Sequence, residues 1–328
     1  MKHNVMLLLA VAACGGCVDT STRGCPTFVA PMEAVVAEFN ANAAAVDWLV
    51  AKARITMTVQ NEGGWAYTWG GLLGSANGTV LFEKDPRSPL GPHYFAFVGK
   101  EASRPVFWLG VNPDEGLYYI WIQMGDKGGA WVGQTALSGA PGQAAMPIDP
   151  LGMISLLNVT ELPFGDQLPL ATLTVEGPLV RSGLRQPPSY VLTYIDRQPG
   201  TGRPLSRREV YFEWTEPERL DFRKPYKIVF RSPEGRRMMT ARLRDYTDLP
   251  DVTAADGRPA VVPTRIELEN TPWPGVPTVL RSMSITLLEI RTAPGEGGGI
   301  PKEASELRRN LPDVQIHWID ELSQKGAP

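Results

Sequence analysis

The chain has 328 residues, a formal net charge of −3 and 43% hydrophobic residues, which is enough apolar material for a large buried core. Its Lys and Arg residues form no basic block, and this argues against a nucleic-acid-binding protein. The 33 glycines and 30 prolines favour many turns and few long helices. We therefore expect either one large β-rich domain or two smaller ones.

The first residues have the pattern of a secretion signal. Lys2 supplies a positive charge, and an apolar run of nine residues follows from Val5 to Ala13. Such a run has the size of a signal-peptide core and is too short to span a bilayer, which takes about 20 residues. An ordinary secretory signal, cleaved at a small-residue site, is the simplest interpretation of this pattern.

A more specific interpretation comes from residues 11–14, "VAAC", which resemble the lipobox of bacterial lipoproteins. The resemblance implies removal of residues 1–13 as a signal peptide, a diacylglycerol on the sulfur of Cys14 and an acyl group on its new amino terminus. Cys17 is the alternative acceptor. In the best-known sorting rule of such lipoproteins, Asp after the lipidated cysteine retains the protein in the inner membrane. Gly15 stands there instead, and this favours the outer membrane, facing the periplasm.

Cys17 and Cys25 are the two remaining cysteines, and both lie in a polar tether over residues 14–30. Outside the cytoplasm they could form a disulfide with each other, or they could stay free. The sequence has no cysteine pair with a suitably spaced histidine, so a zinc site is not supported. We expect no metal and no other cofactor.

From residue 31 the pattern changes to regular secondary structure. Apolar residues spaced three and four apart predict an amphipathic helix over 31–46, and the alternating segment 54–60 predicts a half-buried strand. Short strand candidates divided by turn residues follow, at 65–69, 78–84, 93–99, 105–111, 117–124, 170–176, 189–196, 206–214, 226–231, 237–245, 264–269 and 282–290. Many strands joined by brief turns are typical of an antiparallel meander.

Two further segments complete the prediction. A short helix is expected at 149–158, with Asp149 as its N-cap and Pro150 at its first position. After a glycine-rich linker near residue 295 we expect a helix at about 301–310 and a last strand at about 313–319. The predicted sheet domain is therefore residues 31–292, and residues 293–328 form the linker, short helix, last strand and tail.

The strands at 105–111 and 117–124 are apolar on both faces. A strand with one wet face should alternate, so either both faces of the sheet are covered here or one face lines an apolar cavity. We identify Phe107, Trp108, Tyr119 and Trp121 as candidates for the lining of such a cavity. The alternative is that these aromatic side chains fill a tight core.

The order of elements resembles the LolA/LolB-like lipoprotein carriers. The resemblance is best at residues 31–60, where the helix passes through "NANAAAVDWLVAKARITMTVQ" into the first strand, and weaker at residues 263–290. It implies a mainly β (α+β) fold, in which a curved antiparallel sheet forms an incomplete β-barrel around an apolar cavity and a few helices act as lids. It assigns no ligand-binding residue by number. This chain differs from a soluble carrier in its length and in its own predicted lipid anchor.

Residues suited to catalysis are few. After the signal only His93, expected at a surface turn, and His317, expected in the last strand, remain. Asp245, Asp248 and Asp251 are expected as solvated acids in a turn-rich stretch, because their spacing is not that of a calcium loop. No G-x-S-x-G nucleophile motif occurs. These observations argue against an enzyme.

We expect a membrane-anchored envelope lipoprotein that binds an apolar ligand, a lipid or a lipoprotein acyl chain, in a half-barrel cavity. The alternative is a structural or assembly lipoprotein that docks an envelope protein through an aromatic face. The identity of the ligand or partner and the oligomeric state are not indicated by the sequence.

Overall fold

The computed structural model describes most of the chain after residue 28. The described residues are 29–61, 66–69, 76–87, 91–101, 104–124, 127–137, 150–164, 170–177, 179–181, 184–186, 188–197, 204–214, 220–232, 234–271, 278–294, 301–307 and 316–319.

Three α-helices and seventeen strands make up the described residues, together with a 3₁₀ turn at Thr135–Leu137. The helices are α1 (Met32–Ala45), α2 (Pro150–Ser155) and α3 (Pro301–Ala304). The strands are β1 (Trp48–Asn61), β2 (Ala66–Trp69), β3 (Ala76–Glu83), β4 (Tyr94–Glu101), β5 (Arg104–Asn112), β6 (Leu117–Met124), β7 (Lys127–Gln134), β8 (Leu170–Glu176), β9 (Leu179–Arg181), β10 (Leu184–Gln186), β11 (Ser189–Arg197), β12 (Pro204–Glu213), β13 (Lys227–Arg231), β14 (Arg237–Thr253), β15 (Pro259–Asn270), β16 (Thr278–Arg291) and β17 (Ile316–Trp318).

Fifteen of these strands form one sheet. Fourteen lie side by side in the order β17-β7-β6-β5-β4-β3-β1-β16-β15-β14-β13-β12-β11-β8, and β2 pairs with β1 beyond the end of β3. Every pairing is antiparallel except that of β17 with β7. β9 and β10 form a separate two-stranded hairpin. The described residues therefore have the mainly β, antiparallel architecture that the sequence predicts.

The strand register divides the sheet into two faces. On the first face Ile55 lies opposite Ile285, which in turn lies opposite Ile266, and all three are buried. Three strands further on, in β12, the same face carries Phe212, whose ring packs edge-on against Phe39 of α1 at a centroid distance of 6.3 Å. We call this the inner face, because α1 packs on it, and the opposite one the outer face.

The sheet is strongly curved. α2 contacts β5 and β6, and its Ser155 is also hydrogen-bonded by Arg208 of β12. In a flat sheet β5 and β12 would be about 38 Å apart, since eight strand spacings of about 4.8 Å separate them. A helix of six residues is only about 9 Å long. Both limbs of the sheet must therefore bend towards the same short helix, as in an incomplete barrel.

A C-terminal strap, residues 301–307, covers part of the outer face. Leu307 packs against Tyr119 and Val132, and the indole Nε1 of Trp108 donates a hydrogen bond to the carbonyl oxygen of Ala304 at 3.1 Å. The outer face of β5 and β6 packs against the strap, and the inner face of the same two strands is also buried. Large side chains on both faces of these two strands are therefore buried, and this fits either of the two predicted alternatives, a covered face or the lining of an apolar cavity.

Most predicted elements agree with the structure to within a few residues, and three sets of differences stand out. β7 and the hairpin strands β9 and β10 were not predicted. The late strands are longer than predicted, with β14 reaching Thr253 where a turn-rich stretch is expected. The last helix is shorter, because α3 ends at Ala304.

Candidate functional site

The inner face of β3 to β6 is an apolar surface of large side chains. Phe97 and Phe107 meet edge to face at a centroid distance of 5.2 Å, and Leu109 and Ile120 lie beside them in one cross-strand row. These side chains are at most 1% exposed. A glycine on the same face, Gly78, leaves room for a large neighbour, because a Cβ there would collide with Cδ1 of Ile55. This limb of the sheet is thus suited to apolar contacts.

The opposite limb carries polar groups beneath α2. Arg208 Nη1 donates a hydrogen bond to Ser155 Oγ at 3.2 Å, and the Arg208 guanidinium lies 5.5 Å from the centre of the Tyr194 ring. The Arg208 Nε and the Tyr194 hydroxyl are both buried and have no hydrogen-bond partner among the described residues. Burial raises the pKa of Tyr194 to about 12, so its hydroxyl keeps its proton at neutral pH and can donate.

α1 and the segment after α2 are joined to each other and to the sheet. Asn40 and Leu162 exchange two hydrogen bonds, of 2.8 and 2.7 Å, between the amide side chain and the backbone. The fully buried Asn42 does the same with Val261 of β15 and also donates to the carbonyl oxygen of Asn158. The two helical segments therefore form one cover over the inner face.

The end of α1 is held by a lysine from outside the helix. Its last turn has no basic residue, but Lys84, just after β3, donates to the carbonyl oxygens of Ala43 and Ala44 at 3.1 Å each. The ammonium also lies 3.5 Å from a carboxylate oxygen of Glu161. A cation at this place stabilises the terminal carbonyl groups of the helix.

The four predicted cavity residues lie on different faces. Phe107 lies on the inner face, whereas Trp108, Tyr119 and Trp121 lie on the outer face, with Trp108 directly opposite Trp121. Tyr119 and Trp121 are buried, and Trp121 Nε1 has no hydrogen-bond partner among the described residues. The structure thus brings the latter three together on the outer face, with Trp108 and Tyr119 in contact with the strap, and separates them from Phe107. Their role as lining of a ligand cavity stays a prediction.

Two predictions about residues considered for chemistry differ from the structure, one for His93 and one for the three aspartates from Asp245 to Asp251. His93 is buried rather than at a surface turn, and its Nδ1 accepts a hydrogen bond from the backbone N–H of Asp85. Asp245 and its two neighbouring acids are exposed as expected but belong to β14. His317 lies in β17 as predicted and stacks on Trp131 at 5.7 Å. Within the described ranges, no group of three or more His, Cys, Asp or Glu side chains is placed to hold a metal ion.

Sequence reasoning missed a polar cluster on the outer face of β12 and β13. The buried Glu209 pairs with Arg207 at 2.6 Å and Arg231 at 2.9 Å, and accepts a hydrogen bond from the Tyr211 hydroxyl. Lys227 Nζ lies 3.5 Å from the centre of the Tyr211 ring, and burial lowers its pKa. The burial of Glu209 could not be predicted from the sequence, because the adjacent Arg207 and Arg208 give the segment the charged character of a solvent-exposed strand.

These features define a class: an open, curved antiparallel sheet whose apolar inner face is covered by short helices. Cys14, Cys17 and Cys25 lie outside the described residues. Across the part of the chain that is described, no helix has both the length and the apolar character needed to cross a membrane.

Comparison with known proteins gives similarities of fold only. No model of a protein family matches the chain, and no match was found among curated proteins. A domain from Vibrio parahaemolyticus, named for outer membrane lipoprotein sorting, is similar over 80% of this chain and 92% of its own, with 12% identity and a TM-score of 0.40. A LolA superfamily protein from Nitrosomonas europaea is similar over 82% and 96%, with 12% identity and a TM-score of 0.42. A DUF1329 family protein from Desulfovibrio piger is similar over 82% of this chain and 95% of its own, with 13% identity and a TM-score of 0.43.

Proposed function

We propose that this protein is an envelope lipoprotein, anchored through Cys14, that holds an acyl chain of a lipid or lipoprotein between its inner face and the cover formed by α1 and α2. It acts as a binding protein and not as an enzyme. The anchor makes it a membrane-attached receiver or holder of the ligand, at the outer membrane and facing the periplasm.

One observation carries the proposal. α2 reaches both limbs of the sheet, and the polar contact between this helix and β12 is the Arg208–Ser155 hydrogen bond. The Arg208–Ser155 hydrogen bond contributes only about 0.5–1.5 kcal/mol net. Met153 and Ile154 of the helix are buried, so the helix can move aside only if an apolar ligand replaces their contacts. We therefore assign α2 as the lid over the ligand.

The groups beneath α2 fit a ligand with an apolar body and a polar oxygen. An apolar chain gains about 25 cal/mol for each Å² that it buries against side chains such as Phe97 and Phe107. An ester or carboxyl oxygen of the same ligand would accept hydrogen bonds from Arg208 Nε and the Tyr194 hydroxyl. Leaving such donors buried and unpaired costs about 1–3 kcal/mol each, so the ligand oxygen would offset this cost.

The alternative, an assembly lipoprotein that docks a protein through an aromatic face, has less support. Two of the aromatic residues on the outer face are packed under the chain's own strap, Tyr119 against Leu307 and Trp108 through its hydrogen bond to Ala304. A partner would first have to displace that strap.

The test is titration of the full chain carrying Cys14→Ser, which removes the predicted anchor, with a fatty acid bearing an environment-sensitive dansyl group. We expect saturable binding. Tyr194→Phe keeps the ring and removes the hydroxyl donor, and Arg208→Gln removes the guanidinium, so each should weaken binding several-fold. Arg242→Gln is the control, since Arg242 is exposed on the outer face and its ion pair with Glu269 is exposed as well.

Two results would contradict the proposal. The first is a lack of saturable binding by a chain whose unfolding transition is intact. The second is equal affinity of the parent, Tyr194→Phe and Arg208→Gln chains, which would mean that the probe binds elsewhere than beneath α2.

A further inference from the structure

The outer face of the central strands carries a line of cations that no stretch of the sequence reveals. Lys100 of β4 lies opposite Asn77 of β3, which lies opposite Arg54 of β1. Arg54 lies opposite Thr286 of β16. Thr286 lies opposite Arg265 of β15, and Arg265 opposite Arg244 of β14. We call Lys100, Arg54, Arg265 and Arg244 the basic row.

The basic row crosses six adjacent strands, over about 24 Å at about 4.8 Å per strand spacing. All four cations are exposed, and the two remaining positions of the row, Asn77 and Thr286, are uncharged. The row therefore presents four positive charges and no negative charge, although the whole chain has a net charge of −3.

The charges of the row are only partly neutralised by their neighbours. Arg244 and Arg265 lie directly opposite each other, an arrangement that is destabilising for like charges. Both share one carboxylate, Glu267, at 3.8 and 2.6 Å. No ion pair or hydrogen bond joins the side chains of Arg54 or Lys100 to any described residue. Asp245, the residue after Arg244, is a further exposed acid near the row, and its backbone has a φ of 54°.

An exposed apolar side chain lies next to the row. Leu288 is opposite Lys52, one outer-face position along β1 from Arg54, and it is 40% exposed. A bulge in β16 follows it, where Glu289 has φ of 47° and pairs with Lys52. Leu288 thus places a large apolar side chain beside the basic row on the outer face, and this combination is suited to a surface that is both anionic and apolar.

We propose that the basic row and Leu288 dock this protein onto a bilayer surface containing anionic phospholipid. Guanidinium groups bind phosphate oxygens in a bidentate manner, and the row offers three of them along one line. Leu288 enters the boundary between headgroups and acyl chains. This inference goes beyond the proposed ligand-binding function and does not depend on it.

The docking has a consequence for orientation. The row lies on the outer face, whereas α1 and α2 cover the inner face. When the row meets the bilayer, the cover over the inner face points away from the membrane, towards anything that delivers or accepts a ligand.

The experiment is flotation of the full chain carrying Cys14→Ser with vesicles of phosphatidylcholine and vesicles containing phosphatidylglycerol. All forms keep residues 1–13, so the difference between the two vesicles isolates the electrostatic contribution. We expect binding to the anionic vesicles that falls as salt is added. Each basic residue near such a surface contributes about 1 kcal/mol, or about fivefold, so Arg54→Gln with Arg265→Gln should weaken binding about 25-fold. The control is Arg236→Gln with Arg237→Gln, two exposed cations in the turn region before β14 and at its start.

A second variant separates a bilayer from a phosphate ion. Leu288→Gln should weaken binding to the anionic vesicles several-fold, whereas 5 mM inorganic phosphate at matched ionic strength should leave that binding unchanged. Equal losses in the test and control pairs would overturn the proposal, as would displacement by inorganic phosphate. Equal binding of the parent to neutral and anionic vesicles would also overturn it. A failure to bind the dansyl fatty acid would not, since that probe reports on the inner face.

Discussion

Two adjacent tyrosines, one on each face of the sheet, show how large rings fit into it. Tyr118 and Tyr119 point to opposite faces, and each lies over a glycine on the neighbouring strand. A Cβ at Gly133 would be 2.5 Å from the Tyr118 ring, and one at Gly110 would be 2.5 Å from Cε1 of Tyr119. Because Gly110 and Gly133 have no side chain, the two buried rings can lie directly over the neighbouring strands.

Gly110→Ala should therefore destabilise the protein. The new methyl group must displace Tyr119, which is 1% exposed and cannot move into solvent, so we expect a loss of about 1–3 kcal/mol in the free energy of unfolding. Urea denaturation followed by tryptophan fluorescence measures it. Gly177→Ala is the control, because nothing lies within 4 Å of the added Cβ there. Equal midpoints for the two variants would show that the strand shifts freely around Tyr119.

The same residues explain where the sequence prediction succeeds and where it fails. The two-residue period of a strand places Tyr119 and Trp121 on one face and Tyr118, Ile120 and Ile122 on the other, and the structure has this arrangement. β7 was not predicted because Gly129 and Gly133 leave Lys127–Gln134 with little apolar alternation. The prediction for His93 was wrong because proline and glycine just before it indicate a turn. The imidazole instead lies edge-on to Phe82 at 5.6 Å.

At the scale of elements, α1 depends on a residue 39 positions beyond its own end. Lys84→Met removes the ammonium that donates to the carbonyl oxygens of Ala43 and Ala44 and that pairs with Glu161. We expect a loss of about 1–3 kcal/mol in the free energy of unfolding, measured by urea denaturation. Lys52→Met is the control, because its exposed ion pair with Glu289 should contribute less than about 1 kcal/mol. A Lys84 variant as stable as the Lys52 variant would mean that water caps the helix equally well.

The strap is held to the sheet by a second set of charges. Asp114 accepts from Lys302 at 2.5 Å and from Arg87 at 2.7 Å, and Arg87 also binds Asp85. Hydrogen bonds from Lys302, then Arg87 and Tyr94, lower the pKa of Asp114 to about 2. The same carboxylate raises the pKa of Lys302. Both shifts mean that folding favours the charged forms.

The sign of these shifts fixes the pH dependence of the strap. A carboxyl with a lowered folded pKa stabilises the fold above its unfolded value, about 3.9, and the contribution disappears as the pH falls from about 4 to 2. The raised pKa of Lys302 makes its contribution full below its unfolded value, about 10.4, and lost above its folded pKa. We expect the strap to be held most firmly between these limits.

Asp114→Asn tests the strap. At pH 7 the variant should exchange the amide hydrogens of residues 301–307 faster than the parent, because Lys302 and Arg87 lose their shared carboxylate. The parent should approach the exchange rate of the variant as the pH is lowered towards 2, after correction for intrinsic exchange. Asp256→Asn removes another carboxylate with a lowered pKa, paired with Arg258, and should leave this segment unchanged. Protection of 301–307 that is the same in the parent and both variants would contradict the role of Asp114.

At the scale of the whole molecule, the two faces differ because distant segments meet. The basic row combines positions 54, 100, 244 and 265, so a search for a basic block in the sequence could not find it. The strap that covers Trp108 comes from nearly 200 positions later in the chain. Alternation and turn signals predicted an antiparallel sheet, and the resemblance to LolA/LolB-like carriers implied its curvature and its helical cover. What covers each face depends on long-range topology, which local patterns do not encode.

The last prediction concerns the attachment of the whole molecule to the membrane. If Cys14 accepts the lipid, Cys14→Ser removes the sulfur to which the diacylglycerol is linked, and the chain should stay uncleaved or become soluble. Growth with an alkyne fatty-acid analogue, followed by coupling to a fluorophore, measures the label on the purified chain. We expect strong labelling of the parent and of Cys17→Ser, and none of Cys14→Ser, because Cys14 alone follows the aliphatic and small residues of the lipobox-like segment. Several acyl chains together hold a protein durably, at about 0.8 kcal/mol for each buried CH₂, so the unlabelled variant should also leave the membrane fraction at high salt, where the basic row is screened. Undiminished labelling of Cys14→Ser with loss in Cys17→Ser would move the anchor to Cys17.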